Sequence, residues 1–217
     1  MHDLLAMATP HTIHRRAFLG ALPYLITTAK GSPAQPVMGT GEHTYEVTHD
    51  YLQLPSQLKF GNAHGIVVDA AGRIIVAHTV HKTSESGDAI AIFDASGKFV
   101  KSWGSDPHRT KGRIAAADIH ITPNGKFLYA TERTSNTLTG FQVNKADGTL
   151  KLIESISAES MPRSFAIDSR SQHLYVVGMR SNHMSGYSID GSTGKLTKLK
   201  EYEMGKTPNW VEIVDLP

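Results

Sequence analysis

Asp118-Ile119-His120-Ile121-Thr122, Asn124-Gly125 and Lys126-Phe127-Leu128-Tyr129-Ala130 decide how this chain is read. Two short runs flank an Asn-Gly pair, the local signature of two antiparallel strands joined by a tight turn. The layout recurs. Upstream stand Gly65-Ile66-Val67-Val68-Asp69, Ala71-Gly72 and Arg73-Ile74-Ile75-Val76-Ala77-His78. Downstream stand Arg163-Ser164-Phe165-Ala166-Ile167-Asp168 and, past a turn, His173-Leu174-Tyr175-Val176-Val177. Gly72 and Gly125 are 53 residues apart, while Leu128-Tyr129 and Leu174-Tyr175 are 46 apart. Pro162 and Pro208 are also 46 apart, so Pro208-Asn209-Trp210-Val211-Glu212-Ile213 reads as the opening strand of a fourth unit.

Each unit continues with two more short runs about a turn. These are Ala89 to Asp94 and Lys98 to Trp103 about Ala95-Ser96-Gly97, then Thr137 to Val143 and Leu150 to Ile153 about Asp147-Gly148. In the third unit they are Met184 to Ile189 and Leu196 to Leu199 about Thr193-Gly194. Four strands per unit at this period predict an all-β chain, a β-propeller of four-stranded blades. No 3.6-residue apolar period is sustained after residue 40, so almost no helix is expected there. Three full units and one opening strand make an incomplete ring of three to four blades, since closure takes about four or more. Tyr45 to Phe60 offers a further outer strand. Open blade edges expose unpaired backbone groups, and self-association through them is expected.

Composition excludes several classes. With 40% hydrophobic residues the chain has material for a core. The net charge of +2 is scattered, and no basic run interleaved with aromatics predicts a nucleic-acid surface. There is no cysteine, hence no disulfide, thiolate chemistry or Cys-type zinc site. No apolar run reaches the roughly 18 residues of a membrane span. His64, His78 and His81 cluster in the first unit. The spacing of His78 and His81 suits a helix face better than a strand, so no metal site is read there. Neither a glycine-rich phosphate loop nor a Gly-x-Ser-x-Gly elbow is present.

The first 34 residues stand apart. His14-Arg15-Arg16-Ala17-Phe18-Leu19-Gly20 opens a modest apolar run from Ala17 to Ile26, and Ser32-Pro33-Ala34 supplies small residues. This order resembles a twin-arginine export signal. It divides the chain into a signal peptide over 1–34 and a propeller over 35–217, and implies a periplasmic or secreted protein. The alternative is an unstructured extension on a cytoplasmic one.

The stretch Ala117 to Tyr129 resembles the blade signature of the β-propeller lactonases, among them the propeller-type 6-phosphogluconolactonases and carboxymuconate cyclases. Pro162 to Asp168, Tyr187-Ser188-Ile189-Asp190, Thr193-Gly194-Lys195-Leu196 and Pro208 to Ile213 resemble it likewise, so the likeness runs over 111–217. Residues 60–104, with Asn62-Ala63-His64-Gly65 and Gly97-Lys98-Phe99, resemble an NHL-type repeat instead, which places a junction at Gly104 to Gly112. The resemblance implies a lactone hydrolase, most like a 6-phosphogluconolactonase, acting on a small lactone without a cofactor. The export signal favours an unphosphorylated lactone, because sugar phosphates belong to the cytoplasm. The alternative is a non-catalytic binding or scaffold propeller.

Candidate site residues follow from the same stretch. Asp118 and His120 alternate on one face of an inner strand, where a carboxylate can orient an imidazole. His120 is then the base that deprotonates water and Asp118 its positioning partner. Arg133 stands where the lactonase family commonly carries an arginine, and completes the catalytic set. Arg163 opens the next inner strand and, with Glu132, is read as substrate-binding; arginines suit an anion or a developing oxyanion. The bland reading is a turn-capping Asp118 and a packed His120. Two departures stand out: Glu132 replaces the family's usual Asn, and Gly178-Met179 replaces a common Asn-Gln pair.

Overall fold

A computed structural model describes residues 36–105 and 113–216. The export segment and most of the proposed junction lie outside the described residues. Two units are distinguished, one up to Tyr51 and one from Leu52 onward. In the first, β1 (Val37–Thr40) and β2 (His43–Glu46) form an antiparallel hairpin.

The second unit holds three four-stranded antiparallel sheets, each in simple up-and-down order. Blade 1 comprises β3 (Phe60–Val68), β4 (Ile74–Val80), β5 (Ile90–Phe93) and β6 (Phe99–Trp103). Blade 2 comprises β7 (Ala116–Ile121), β8 (Phe127–Glu132), β9 (Thr137–Val143) and β10 (Leu150–Ser157). Blade 3 comprises β11 (Pro162–Ile167), β12 (His173–Gly178), β13 (His183–Ile189) and β14 (Leu196–Glu203). No helix occurs among the described residues, and therefore none long and apolar enough to cross a membrane.

Turn chemistry sets the hairpins. Asp69 Oδ1 accepts from the backbone N–H groups of Ala71 and Arg73, and Asp94 Oδ1 from those of Ser96 and Lys98. Such Asx turns hold the chain while the next residues reverse it. Gly125 takes a φ of 69° at this reversal in blade 2. In blade 3 the same place is held by Ser171 at a φ of 61°, a left-handed conformation that a non-glycine residue adopts at some cost. Asp168 compensates by accepting from Gln172 N and His173 N.

β7 packs beside both β3 and β11, so these three are the inner strands of adjacent blades. Gly65 makes the first approach possible: a Cβ there would lie 2.9 Å from the Ile119 nitrogen. Between blades 1 and 2 the core is Ile75, Ile90, Ile92, Ile119, Leu128 and Val143 with their neighbours. Between blades 2 and 3 it is Phe127, Tyr129, Phe165, Leu174, Val176 and Tyr187.

Two expectations are corrected. Tyr45 to Phe60 adds no outer strand. It contributes one parallel bridge, Gln53 to Lys98, backbone bonds accepted by Gln57 and Lys59 from the 81–86 loop, and Leu52, Leu58 and Phe60 packed on Val76, Ala91 and Phe93. Those side chains cover a blade face that would otherwise be wet, which stabilises more than one extra ladder bond. Pro208 to Ile213 forms no strand ladder either. Among the described residues no strand follows to pair with it, and a strand without a neighbour leaves its backbone to water.

Candidate functional site

Each inner strand carries a break in its register near its first residues. The pairing shifts between Ala63 and Gly65 in β3, between Ala116 and Ile119 in β7, and between Pro162 and Ser164 in β11. A bulge places an extra residue on one strand and re-aims its side chain, a common device beside functional sites. The residues so displaced are His64, Ala117-Asp118 and Arg163. They line one cavity of about 240 Å³, together with Arg133, Asn209 and Trp210.

The register extends further than the strands do. His64 and Ala117 are 53 residues apart, and Ala117, Arg163 and Asn209 follow at intervals of 46. These are the repeat intervals of the chain. One equivalent position per unit therefore faces the cavity, and the unpaired C-terminal segment keeps the place of a fourth inner strand without its ladder.

Arg133 follows β8 directly and reaches across to blade 1. Its Nη2 lies 2.8 Å from His64 Nε2 and 3.5 Å from Thr79 Oγ1, while Nε donates to the Ala115 carbonyl at 3.3 Å. A guanidinium only donates, so His64 Nε2 accepts and the ring proton sits on Nδ1. Burial, and then the charges of Arg133, Arg163 and Arg113, lower the His64 pKa from 6.5 to about 4. His64 is thus neutral at pH 7. Burial and the neighbouring Arg163 also lower the pKa of Arg133. Among the described residues, none of Arg113, Arg133 and Arg163 forms an ion pair with a carboxylate. Two arginines at the lining of one cavity favour an anionic guest.

Asp118 is the buried acid of the cavity. Its Oδ1 accepts from Ile119 N at 2.9 Å, and its Oδ2 from Phe165 N at 3.1 Å. His120 Nε2 stands 3.2 Å from Oδ2, and its ring meets Phe165 edge-on at 4.7 Å between centroids. A carboxylate offers roughly four acceptor directions, so about one remains for a ligand or water.

The structure therefore brings Asp118, Arg133 and Arg163 together, as read from the sequence. His120 is beside Asp118 but does not line the cavity. Its side chain is 41% exposed. Glu132 is placed elsewhere. It is 1% exposed, with Oε1 accepting from Ala115 N at 2.6 Å and Oε2 from the Ser135 N–H and hydroxyl. It ties β8 and its following turn to the start of β7. His64 is the residue the strand pattern missed; its signal was the fixed interval from Ala117 and Arg163. Gly178 is confined by Ser181 and Glu159, and a side chain there has no room.

The fold and site define a β-propeller with an arginine-lined cavity at one end of its inner strands. The family description "Lactonase, 7-bladed beta-propeller" matches residues 56–213, and the chain belongs to that family. The match takes in 60–104 as well, so one family spans all three blades. A 6-phosphogluconolactonase of Serratia proteamaculans is 39% identical over 140 residues, 64% of this chain and 42% of that protein. The 6-phosphogluconolactonase of a Yersinia pseudotuberculosis strain is 40% identical over the same shares. The chain thus spans about two fifths of the length of these curated relatives. Among solved structures, the periplasmic gluconolactonase of Pseudomonas aeruginosa superposes with a TM-score of 0.64 at 22% identity, over 72% of this chain and 43% of that one. A Lactobacillus plantarum protein gives 0.53 at 23% identity, over 76% and 61%. At these identities the likeness is one of fold.

Proposed function

We propose that the cavity between the three inner strands opens a lactone ring by water attack, as a 6-phosphogluconolactonase-like hydrolase. The observation that carries this is the pair Arg133 and Arg163 lining one cavity with a neutral histidine and a buried carboxylate. Arg133 and Arg163 hold the carbonyl oxygen and any anionic substituent. Neutral His64 donates its Nδ1 proton in a hydrogen bond without adding charge. Asp118 accepts the proton of the attacking water, and His120 positions Asp118 and passes the proton to solvent. Water oxygen bonds to the carbonyl carbon, and the ring C–O bond breaks. The alkoxide is protonated, and the carboxylic acid product releases one proton at neutral pH. The roles of Asp118 and His120 are exchanged relative to the strand-pattern reading, because only Asp118 reaches the cavity.

The relatives' names support a sugar lactone as substrate. The Arg15-Arg16 segment supports delivery by twin-arginine export and hence an unphosphorylated lactone. Replacing both arginines by Lys is expected to abolish delivery across the membrane, read from the mature N-terminus near Gln35. The hydrolase reading is tested by proton release on adding glucono-δ-lactone and its 6-phosphate, corrected for spontaneous hydrolysis. A rate above background that falls in Arg163→Ala supports it. A rate at background on both lactones replaces it with the binding-module reading.

A further inference from the structure

Trp210 stands out among the cavity residues. It is 69% exposed, although it lines the same concavity as His64, Asp118, Arg133 and Arg163. An indole is the largest apolar surface a side chain carries, and among the described residues this one lies open at the cavity. Among the described residues, Gly205 to Leu216 forms no ladder. Among the described residues, neither the indole N–H nor the Asn209 amide has a hydrogen-bond partner. Together they add to the arginine-bearing lining a surface that is polar at its edge and flat and apolar on its face.

Position sharpens this. Trp210 occupies the place that Asp118 holds in blade 2 and Ser164 in blade 3, by the interval of 46 residues. Those two inner-strand residues are small and polar. The fourth unit alone puts an aromatic plane there.

We infer that Trp210 is the specificity residue of this cavity, a platform on which the ring of a cyclic polyol lactone lies flat. The inference rests on the lactonase reading and adds to it what the arginines cannot supply. A sugar ring presents axial C–H groups on one face and hydroxyls around its rim. The C–H face covers the indole, while the Asn209 amide and the indole N–H meet the rim hydroxyls. A plain aliphatic lactone covers the indole equally but leaves both polar groups unpaired, which disfavours it. The arginines read charge; Trp210 and Asn209 read the ring, so the two effects separate.

The test uses the full chain, its Trp210→Ala and Trp210→Phe variants, and Arg163→Ala. The probes are glucono-δ-lactone, its 6-phosphate, δ-valerolactone, and the non-reacting ring analogue 1,5-anhydroglucitol. Intrinsic fluorescence is titrated with 1,5-anhydroglucitol. The expected result is a saturable change that is absent in Trp210→Ala; Trp103, the other tryptophan, lies on outer strand β6 and provides the unresponsive background. In hydrolysis, Trp210→Ala is expected to raise KM about tenfold for both sugar lactones alike, with kcat nearly kept and partial rescue by Phe. Arg163→Ala is expected to raise KM far more for the phosphorylated lactone than for the unphosphorylated one. If the parent hydrolyses no lactone but the Trp210 signal responds to the analogue, the hydrolase reading fails and the platform stands. Hydrolysis with an unchanged KM in Trp210→Ala, or an analogue that leaves the fluorescence of the parent unaltered, overturns the platform.

Discussion

The two seams between blades fill the same gap in different ways. Between blades 1 and 2 the filling is largely aliphatic, with Ile75, Ile90, Ile92, Ile119 and Leu128, and the inner strands touch through Gly65. Between blades 2 and 3 it is rich in rings, with Phe127, Tyr129, Phe165 and Tyr187. The Tyr129 ring lies over Gly140, its partner on β9, where a Cβ would come within 2.9 Å of the ring. Its hydroxyl donates to the Gly194 carbonyl of blade 3 at 2.7 Å. One seam is closed by bringing backbones together, the other by inserting large side chains and latching one of them. The cavity repeats the contrast: Arg133 joins blade 2 to His64 of blade 1, and Asp118 joins it to the Phe165 amide of blade 3.

The bond on the second side is assigned the chemical role, and this is where the largest effect is expected. Asp118→Asn keeps shape and removes the base, so turnover is expected to fall about 10²- to 10⁴-fold, roughly 3–5 kcal/mol. Parent-like turnover in Asp118→Asn would end the proposed division of roles. Next in size is Tyr129→Ala, which empties a fully buried ring site and is expected to cost about 3–5 kcal/mol in urea unfolding. Ile90→Ala in the other seam is expected at the lower end of the 2–5 kcal/mol typical of such truncations, because an aliphatic lining closes more easily around a small void. Equal losses would show that the seams differ in composition but not in mechanics.

Tyr129→Phe isolates the latch. It keeps the ring and removes the bond to Gly194, so a loss of about 1 kcal/mol is expected. The smallest effect concerns the first side of the cavity. The His64 pKa is lowered to about 4 in the folded chain against 6.5 for a free histidine. The unfolded chain therefore takes up the proton first. Stability from this group is complete above pH 6.5 and declines as pH falls toward 4. The group is partly exposed, so the loss is modest. Histidine NMR is expected to show a low midpoint in the parent and a higher one in Arg133→Ala; an unmoved midpoint would remove Arg133 as its cause.

Much of the blade architecture was legible because short alternating runs and Asx or Gly turns carry their own local physics. Even Ser171, which lacks the expected glycine, sits in a readable turn because Asp168 precedes it. The site was only partly legible, and the reason is specific. Strand alternation assigned Asp118 and His120 to one face. The bulge between Ala116 and Ile119 turns Asp118 into the cavity and leaves His120 beside it. A bulge depends on the partner strand, so the residues on one strand do not announce it. Glu132 looked like a rim acid, but its burial against Ala115 and Ser135 arises from chain reversals around it. The strand at Pro208 to Ile213 kept its place but not its pairing, because a ladder is a property of two segments.

The interval linking His64, Ala117, Arg163 and Asn209 has a consequence for how such proteins diversify. Each of the three blades contributes its cavity residue from a bulge in its inner strand. The identity of that residue is therefore nearly independent of the core that supports it. A single codon change at His64, Arg163 or Asn209 rewrites one wall of the cavity with little demand on the core. Ala117 is the unwritten member of the series, a methyl group between a histidine and an arginine. It is also the buried one, whereas His64, Arg163 and Asn209 are exposed, so those three are the positions at which a descendant of this chain would acquire a different preference without a different scaffold.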